Sequence, residues 1–270
     1  MIKESRLEWE VLSVSKQLRE LFLRDSSAVF DAEEREVLWL AEGYCFLQLT
    51  FPCVDSLRET SKQAYLKVCQ KASQLEMFLL RCWHFIPRIN NLEDGVERYQ
   101  LFCSGRYEGL IDSGFMELNS LPAASAVGTD SSELKMFFFL GKEKGASLEN
   151  PNQISAFRYP KQYGIHSPSF ARAYEVAGYL LISGTASIVG SESQHVGALT
   201  RQLTETKKRL VELYGERKPL YLTAYVRHEE DIMEVESYVN RNFPTVKLAQ
   251  VMKAEVCRRE LLVEIELIAK

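Results

Sequence analysis

From 198 to 213 the residues Leu199, Leu203, Thr206, Leu210 and Leu213 stand three or four apart, the spacing of an α-helix with one buried face. A second stripe, Leu57, Ala64, Tyr65, Val68, Cys69 and Leu75, follows Asp55 and Ser56, either of which suits an N-cap, and predicts a helix over 55–80. Trp9, Val11, Leu12, Leu18, Leu21, Phe22 and Leu23 give a looser helical pattern over 9–24. An aromatic-rich stretch at 95–110 and a segment at 229–242, ending before Phe243-Pro244, complete the predicted helices. Short apolar runs predict strands: a hairpin over 36–51 around Glu42-Gly43, then 83–86 stopped by Pro87, 125–127, 135–140, 175–182, 220–227, 246–251 and 261–268. Ser183 to Ser187 (SGTAS) has the small residues of a turn.

The order is hairpin, helix, strand, helix, strand, and then, beyond the polar segment 141–152 with its two Gly and one Pro, strand, helix, strand, helix, strand, strand. An α+β protein with two related domains, 1–145 and 146–270, each a mixed sheet with helices packed on one face, is the economical expectation.

Composition narrows the function classes. At 270 residues, 46% hydrophobic and 26% charged, the chain is long enough to bury a real core, which excludes disorder as its main state. Thirty-three Lys and Arg against 37 Asp and Glu give a net charge of -4 without blocks of like charge, which argues against nucleic acid or an anionic membrane as partner. Apolar runs fall far short of the roughly 20 residues a membrane helix requires. The opening MIKESRLEWE has no apolar signal core, so a soluble, cytoplasmic protein is expected. Six cysteines without a CxxC pair fit buried reduced thiols, and four scattered histidines give no reason to expect a metal; no cofactor is expected.

Two stretches carry candidate chemistry. Segment 156–173 (AFRYPKQYGIHSPSFARA) gathers Arg158, Tyr159, Lys161, Tyr163, His166 and Arg172 among turn-forming Pro160, Gly164 and Pro168. Guanidinium groups grip carboxylates through paired hydrogen bonds and phenols orient them, so this loop suits a small di-acid; a surface turn fits as well. At the C-terminus, strand alternation sets Leu262, Glu264 and Glu266 on one face. One of these carboxyls could enter a dry pocket and serve as a proton donor, although a half-exposed strand has the same pattern. The SGTAS segment lacks the GxSxG of a hydrolase elbow.

In order along the chain, WHFIPRIN, ERYQLFCSGR, LPAASAVGT, ENPNQISAFRYPKQYG, HSPSFARA, LLISGTASIVG, the YVR at 225–227 and CRRELLVEIE resemble the signature of the chorismatase family, over roughly residues 83–270. The resemblance implies two YjgF/Rid-like domains and cleavage of the enolpyruvyl ether of chorismate to pyruvate and a hydroxybenzoate. Hydrolysis to a dihydroxycyclohexadiene carboxylate is the alternative, and a non-catalytic relative that binds a small carboxylate is another. It makes Glu264 the catalytic acid, provided that burial outweighs the arginines nearby. Arg158, Tyr163 and Arg172, with Tyr159 and Arg227 second, are then the groups that hold the two carboxylates, and the backbone N–H groups of Gly184, Thr185 and Ala186 are further donors. Cys257 resembles the cysteine of the hydroxybenzoate-forming branch, which points to 3-hydroxybenzoate. Relatives carry a GHESxHPGD-like run after SGTAS where this chain has Gly190 to Ala198 (GSESQHVGA). Ala249 occupies the place, fifteen residues before Glu264, where Rid-type deaminases have a carboxylate-gripping arginine, which disfavours imine hydrolysis. Trimeric Rid-type relatives imply a homotrimer through the C-terminal domain.

Overall fold

The structure is a computed structural model and describes residues 17, 18, 20–23, 27–31, 33, 35–53 and 56–270. Most of the helix expected over 9–24, and Asp55 as a cap, lie outside these residues. Chain order gives β1 (Ser27–Asp31), β2 (Glu36–Ala41), β3 (Tyr44–Pro52), α1 (Leu57–Gln74), β4 (Phe78–Pro87), β5 (Leu92–Glu93), β6 (Val96–Glu97), α2 (Arg98–Asp112), β7 (Ala123–Thr129), β8 (Glu133–Gly141) and β9 (Ala146–Leu148). There follow β10 (Ala173–Val176), β11 (Tyr179–Ala186), β12 (Ile188–Val189), β13 (Glu192–Ser193), α3 (Leu199–Tyr214), β14 (Pro219–Val226), α4 (Ile232–Asn242), β15 (Leu248–Lys253), β16 (Glu255–Val256) and β17 (Val263–Ala269).

One topology occurs twice. The first sheet runs β1-β2-β3-β8-β4-β7-β16 and the second β15-β14-β17-β11-β10-β9. In each, an antiparallel hairpin (β2-β3, β10-β11) is followed by a helix, a strand, a second helix and a strand parallel to the one before it (β4-β7, β14-β15), and a last strand (β8, β17) inserts at the centre. This is the α+β pair of related units expected from the order of elements. The short β16, late in the chain, crosses over to pair with β7 at the edge of the first sheet.

Burial explains the layering. Tyr65, Val68, Phe102 and Leu110 of α1 and α2 pack on Leu47, Cys82, Phe138 and Leu140 of the first sheet. Leu203, Leu210, Val235 and Val239 of α3 and α4 cover Ile182, Leu222, Ala224 and Ile265 of the second. The other faces meet each other, with Phe46, Trp83, Phe137 and Phe139 against Leu181, Tyr221, Tyr225 and Ile268. The molecule is therefore a four-layer stack, helices outside and two sheets within.

The strand expected over 175–182 is instead a hairpin, β10 and β11 joined by a turn at Ala177-Gly178, and three boundaries also differ from the sequence reading. The first of these helices ends at Gln74, capped at Leu75, and the residues beyond it belong to the ten-residue β4, buried on both faces from Leu79 onward. Ser56 provides the expected cap, its Oγ accepting from Glu59 N. SGTAS does not turn: Ser183 to Ala186 continue β11, and an extra residue there makes a bulge against β17 between Ile182 and Thr185. Finally, residues 257–262 form a bent loop and the last strand begins at Val263.

Candidate active site

Glu264 lies on β17, with Ala186 and Tyr225 as its neighbours on β11 and β14. Its side chain points toward the first sheet and is 5% exposed. Glycine stands opposite it: a Cβ on Gly184 would lie 2.0 Å from Glu264 Oε1 and 3.0 Å from Ser125 Oγ, so a larger residue would push the carboxyl from its place. The bulge of β11 thus brings backbone up against the carboxyl, and no described residue gives it a hydrogen bond. Burial, reinforced by the negative charge of Glu266, pushes the Glu264 carboxyl up to about 8; Arg81 and Arg172 act in the opposite sense and are outweighed. At neutral pH this carboxyl carries its proton.

A cavity of about 260 Å³ opens onto Glu264. Small residues of β7 (Ala124, Ser125, Ala126) leave room for it, α2 supplies Tyr99, Phe102, Cys103 and Arg106, and the loop before β10 supplies Tyr159, Tyr163, Phe170 and Arg172. Cys257, Arg258, Arg259 and Glu260 close it from the loop before β17. The site therefore draws on both units.

Arg106, Arg172 and Arg258 bring cationic groups to the cavity wall. Arg172, 3% exposed, donates through Nη2 to Tyr159 Oη at 2.6 Å and to the Ile154 carbonyl at 3.0 Å, while its buried Nε has no partner among the described residues. Arg106, also 3% exposed, lies over the Tyr65 ring at 5.2 Å and leaves both Nε and Nη2 buried without a partner among the described residues. Arg258 stacks over Tyr163 at 4.1 Å and Tyr159 at 5.3 Å and donates to the Ser191 carbonyl at 2.8 Å. A guanidinium hidden from water without acceptors is costly, and a bound carboxylate removes that cost.

Of the residues singled out in the sequence, Glu264, Cys257, Tyr159, Tyr163, Arg172, Gly184 and Ala186 line this cavity. Arg158 does not: it is exposed and folds over Phe157 at 5.5 Å, because the single-turn helix at Ala156–Arg158 turns it outward. Thr185 is buried with its hydroxyl donating to the Ser183 carbonyl. The Gly184 N–H is already given to Ser125 Oγ at 2.8 Å, so it is not a free donor. Arg227 binds the carbonyls of Leu261, Val256 and Arg258 and the side chain of Asn90, which fixes the 257–262 loop and leaves the arginine outside the cavity. Arg106 was not singled out although it closes the segment ERYQLFCSGR. Arg81, Ser125 and His84 were likewise missed. His84 Nδ1–H donates to the Ser125 carbonyl at 2.8 Å, and Nε2 accepts from Tyr65 Oη at 2.6 Å. Burial, and then the Arg106 cation, keep that imidazole neutral. Among the described residues no group of three His, Cys, Asp or Glu is arranged for a metal, and no helix is long and apolar enough to cross a membrane.

Comparison with known proteins gives the following. Residues 20–140 match the family model described as chorismatase FkbO/Hyg5-like, N-terminal, so the likeness extends upstream of residue 83, where the motifs begin. A 3-hydroxybenzoate synthase of Streptomyces hygroscopicus is 30% identical over 88% of this chain and 79% of its own. A chorismatase of Streptomyces rapamycinicus is 31% identical over 70% of this chain and 63% of its own. The crystal structure of a chorismatase superposes with a TM-score of 0.83 at 26% identity, covering 90% of this chain and 79% of that one.

Proposed function

Since this chain belongs to the chorismatase family, we propose that it cleaves the enolpyruvyl ether of chorismate, releasing pyruvate and a hydroxybenzoate, with Glu264 as the proton donor. The observation that carries this reading is the buried carboxyl of Glu264, which receives no hydrogen bond from a described residue, facing a cavity lined by Arg106 and Arg172, whose guanidinium groups keep buried nitrogen atoms without a partner among the described residues. Two cationic groups match the two carboxylates of chorismate, and holding both fixes the ether beside the acid, where positioning lowers the barrier by several kcal/mol.

In the step itself, Glu264 gives its proton to the terminal methylene carbon, and the ether oxygen shares the positive charge that results. The ring carbon–oxygen bond then breaks, its electron pair forming the ketone of pyruvate. The neighbouring ring hydroxyl oxygen closes on the ring cation to form a protonated epoxide, its bond to its original carbon then breaks, and loss of the proton from the carbon that now bears the oxygen makes the ring aromatic and restores the Glu264 carboxyl. This route consumes no water, whereas capture of the ring cation by water would give the diene diol.

The 3-isomer is the product we favour. Support comes from Cys257 at the cavity wall, whose thiol burial and the Glu264 charge push up to about 12, so that it is a neutral, compact group beside the ring. The relative named as a 3-hydroxybenzoate synthase supports the same branch.

Incubation with chorismate, followed by chromatography of all products, tests both parts. Pyruvate with 3-hydroxybenzoate is expected. Pyruvate with a non-aromatic diol would reject the branch, and intact chorismate with folded protein would reject the activity. Glu264→Gln should retain binding and lose turnover by about three orders of magnitude.

A further inference from the structure

Glu264 and Glu266 share one face of β17, about 7 Å apart along the strand, and their surroundings treat them in opposite ways. Glu266, 6% exposed, receives Arg81 Nη2 at 2.6 Å, Trp83 Nε1 at 2.9 Å, Tyr225 Oη at 3.2 Å and the Ser125 hydroxyl. Four donors converge on its two oxygens, the setting of an acceptor-only carboxylate, whereas no described residue donates to Glu264. Ser125 Oγ also accepts from Gly184 N and from Arg81, so the same hydroxyl that binds Glu266 anchors the bulge beneath Glu264.

We propose that Glu266 is a positioning residue for the acid step: fixed as an anion by Arg81, it assigns the proton of this carboxyl pair to Glu264 and, through Ser125, seats the Gly184 bulge on which Glu264 lies. The inference rests on the reading of Glu264 as proton donor. Other groups around Glu264 do not supply this effect. Arg81 from β4 and Arg172 from the loop before β10 favour its anion. Tyr225 from β14, Tyr99 from α2 and Cys257 from the loop before β17 are kept neutral by burial. Burial raises the carboxyl, and Glu266 is the anion that reinforces it. Environments that separate the proton affinities of neighbouring carboxyls are how one of them is reserved as an acid.

The test is carboxyl-carbon NMR on the full chain labelled at glutamate, with pH dependence of kcat and KM for chorismate on the same samples. In the unmodified protein the Glu264 resonance, assigned by its loss in Glu264→Gln, should titrate near 8. Glu266→Gln leaves Arg81 uncompensated beside Glu264 and should lower that midpoint by about one pH unit or more; Arg81→Gln leaves Glu266 uncompensated and should raise it. The alkaline fall of kcat should follow these opposite shifts with KM little changed, which mere loosening of the core would not produce. Midpoints unmoved in both variants, or a proton found on Glu266 in the unmodified protein, would overturn the proposal; the second result needs neither ion-pair variant to fold. If the carboxyls titrate as stated and no pyruvate forms, the functional reading fails while the proton assignment stands.

Discussion

Arg106 is where the proposed ligand role and the stability of the empty fold pull in opposite directions. Two of its nitrogen atoms are buried without partners among the described residues, each a cost of about 1–3 kcal/mol that a carboxylate bound in the cavity would relieve. Arg106→Met is therefore expected to cut kcat/KM for chorismate by about 100-fold, chiefly through KM, while the melting temperature stays level or rises. A fall in stability with unchanged kinetics would make Arg106 a packing residue. The sequence marked Glu264 through family likeness and strand position, but Arg106 between Gly105 and Tyr107 has the look of a solvated charge on a helix. Only the tertiary crossing of α2 over Tyr65 turns it inward. Arg158 and Arg172, equally plausible in one loop, separate only because one single-turn helix faces outward while the other arginine leads into β10.

That crossing depends on the fit between α1 and α2. A Cβ on Gly105 would stand 2.0 Å from the Arg58 carbonyl oxygen, and one on Gly109 would lie 2.6 Å from Tyr65 Cβ, so these two glycines let the helices touch. Gly105→Ala should force α2 away from α1, destabilise the fold by roughly 1–3 kcal/mol in urea unfolding, and weaken chorismate binding as Arg106 moves with its helix. Unchanged stability would mean that the helices separate freely. At this scale the helices α3 and α4 and the β2-β3 hairpin were legible, because each has one buried face or a marked turn. Strand β4 was partly hidden, since a strand covered on both faces loses its alternation and its first residues merge with the preceding helical pattern. The SGTAS bulge was hidden for a different reason: small residues mark close approach as well as turns, and here Gly184 is small because Glu264 occupies the space.

For the molecule as a whole, the site sits where two copies of one topology face each other, so the chemistry is coupled to the stability of the entire stack. Glu264 has its carboxyl raised from 4.5 to about 8 by burial between the sheets, with Glu266 adding to the effect. In the unfolded chain the same carboxyl loses its proton near 4.5. Between these values the folded state holds a proton that the unfolded state has released, and stability falls with rising pH wherever that is so. The contribution of this group is thus fully present below about 4.5, declines through the neutral range and is gone above about 8. Glu264→Gln, which cannot ionise, removes this dependence and leaves the titrations of Glu97 and Glu149, also raised by burial, common to both proteins. The melting temperature of the variant minus that of the unmodified protein should therefore climb steadily from about pH 4.5 to about pH 8 and then level off. A difference that is flat across this window, measured by thermal unfolding at matched ionic strength, would show that Glu264 is ionised in the folded protein and unable to act as the acid.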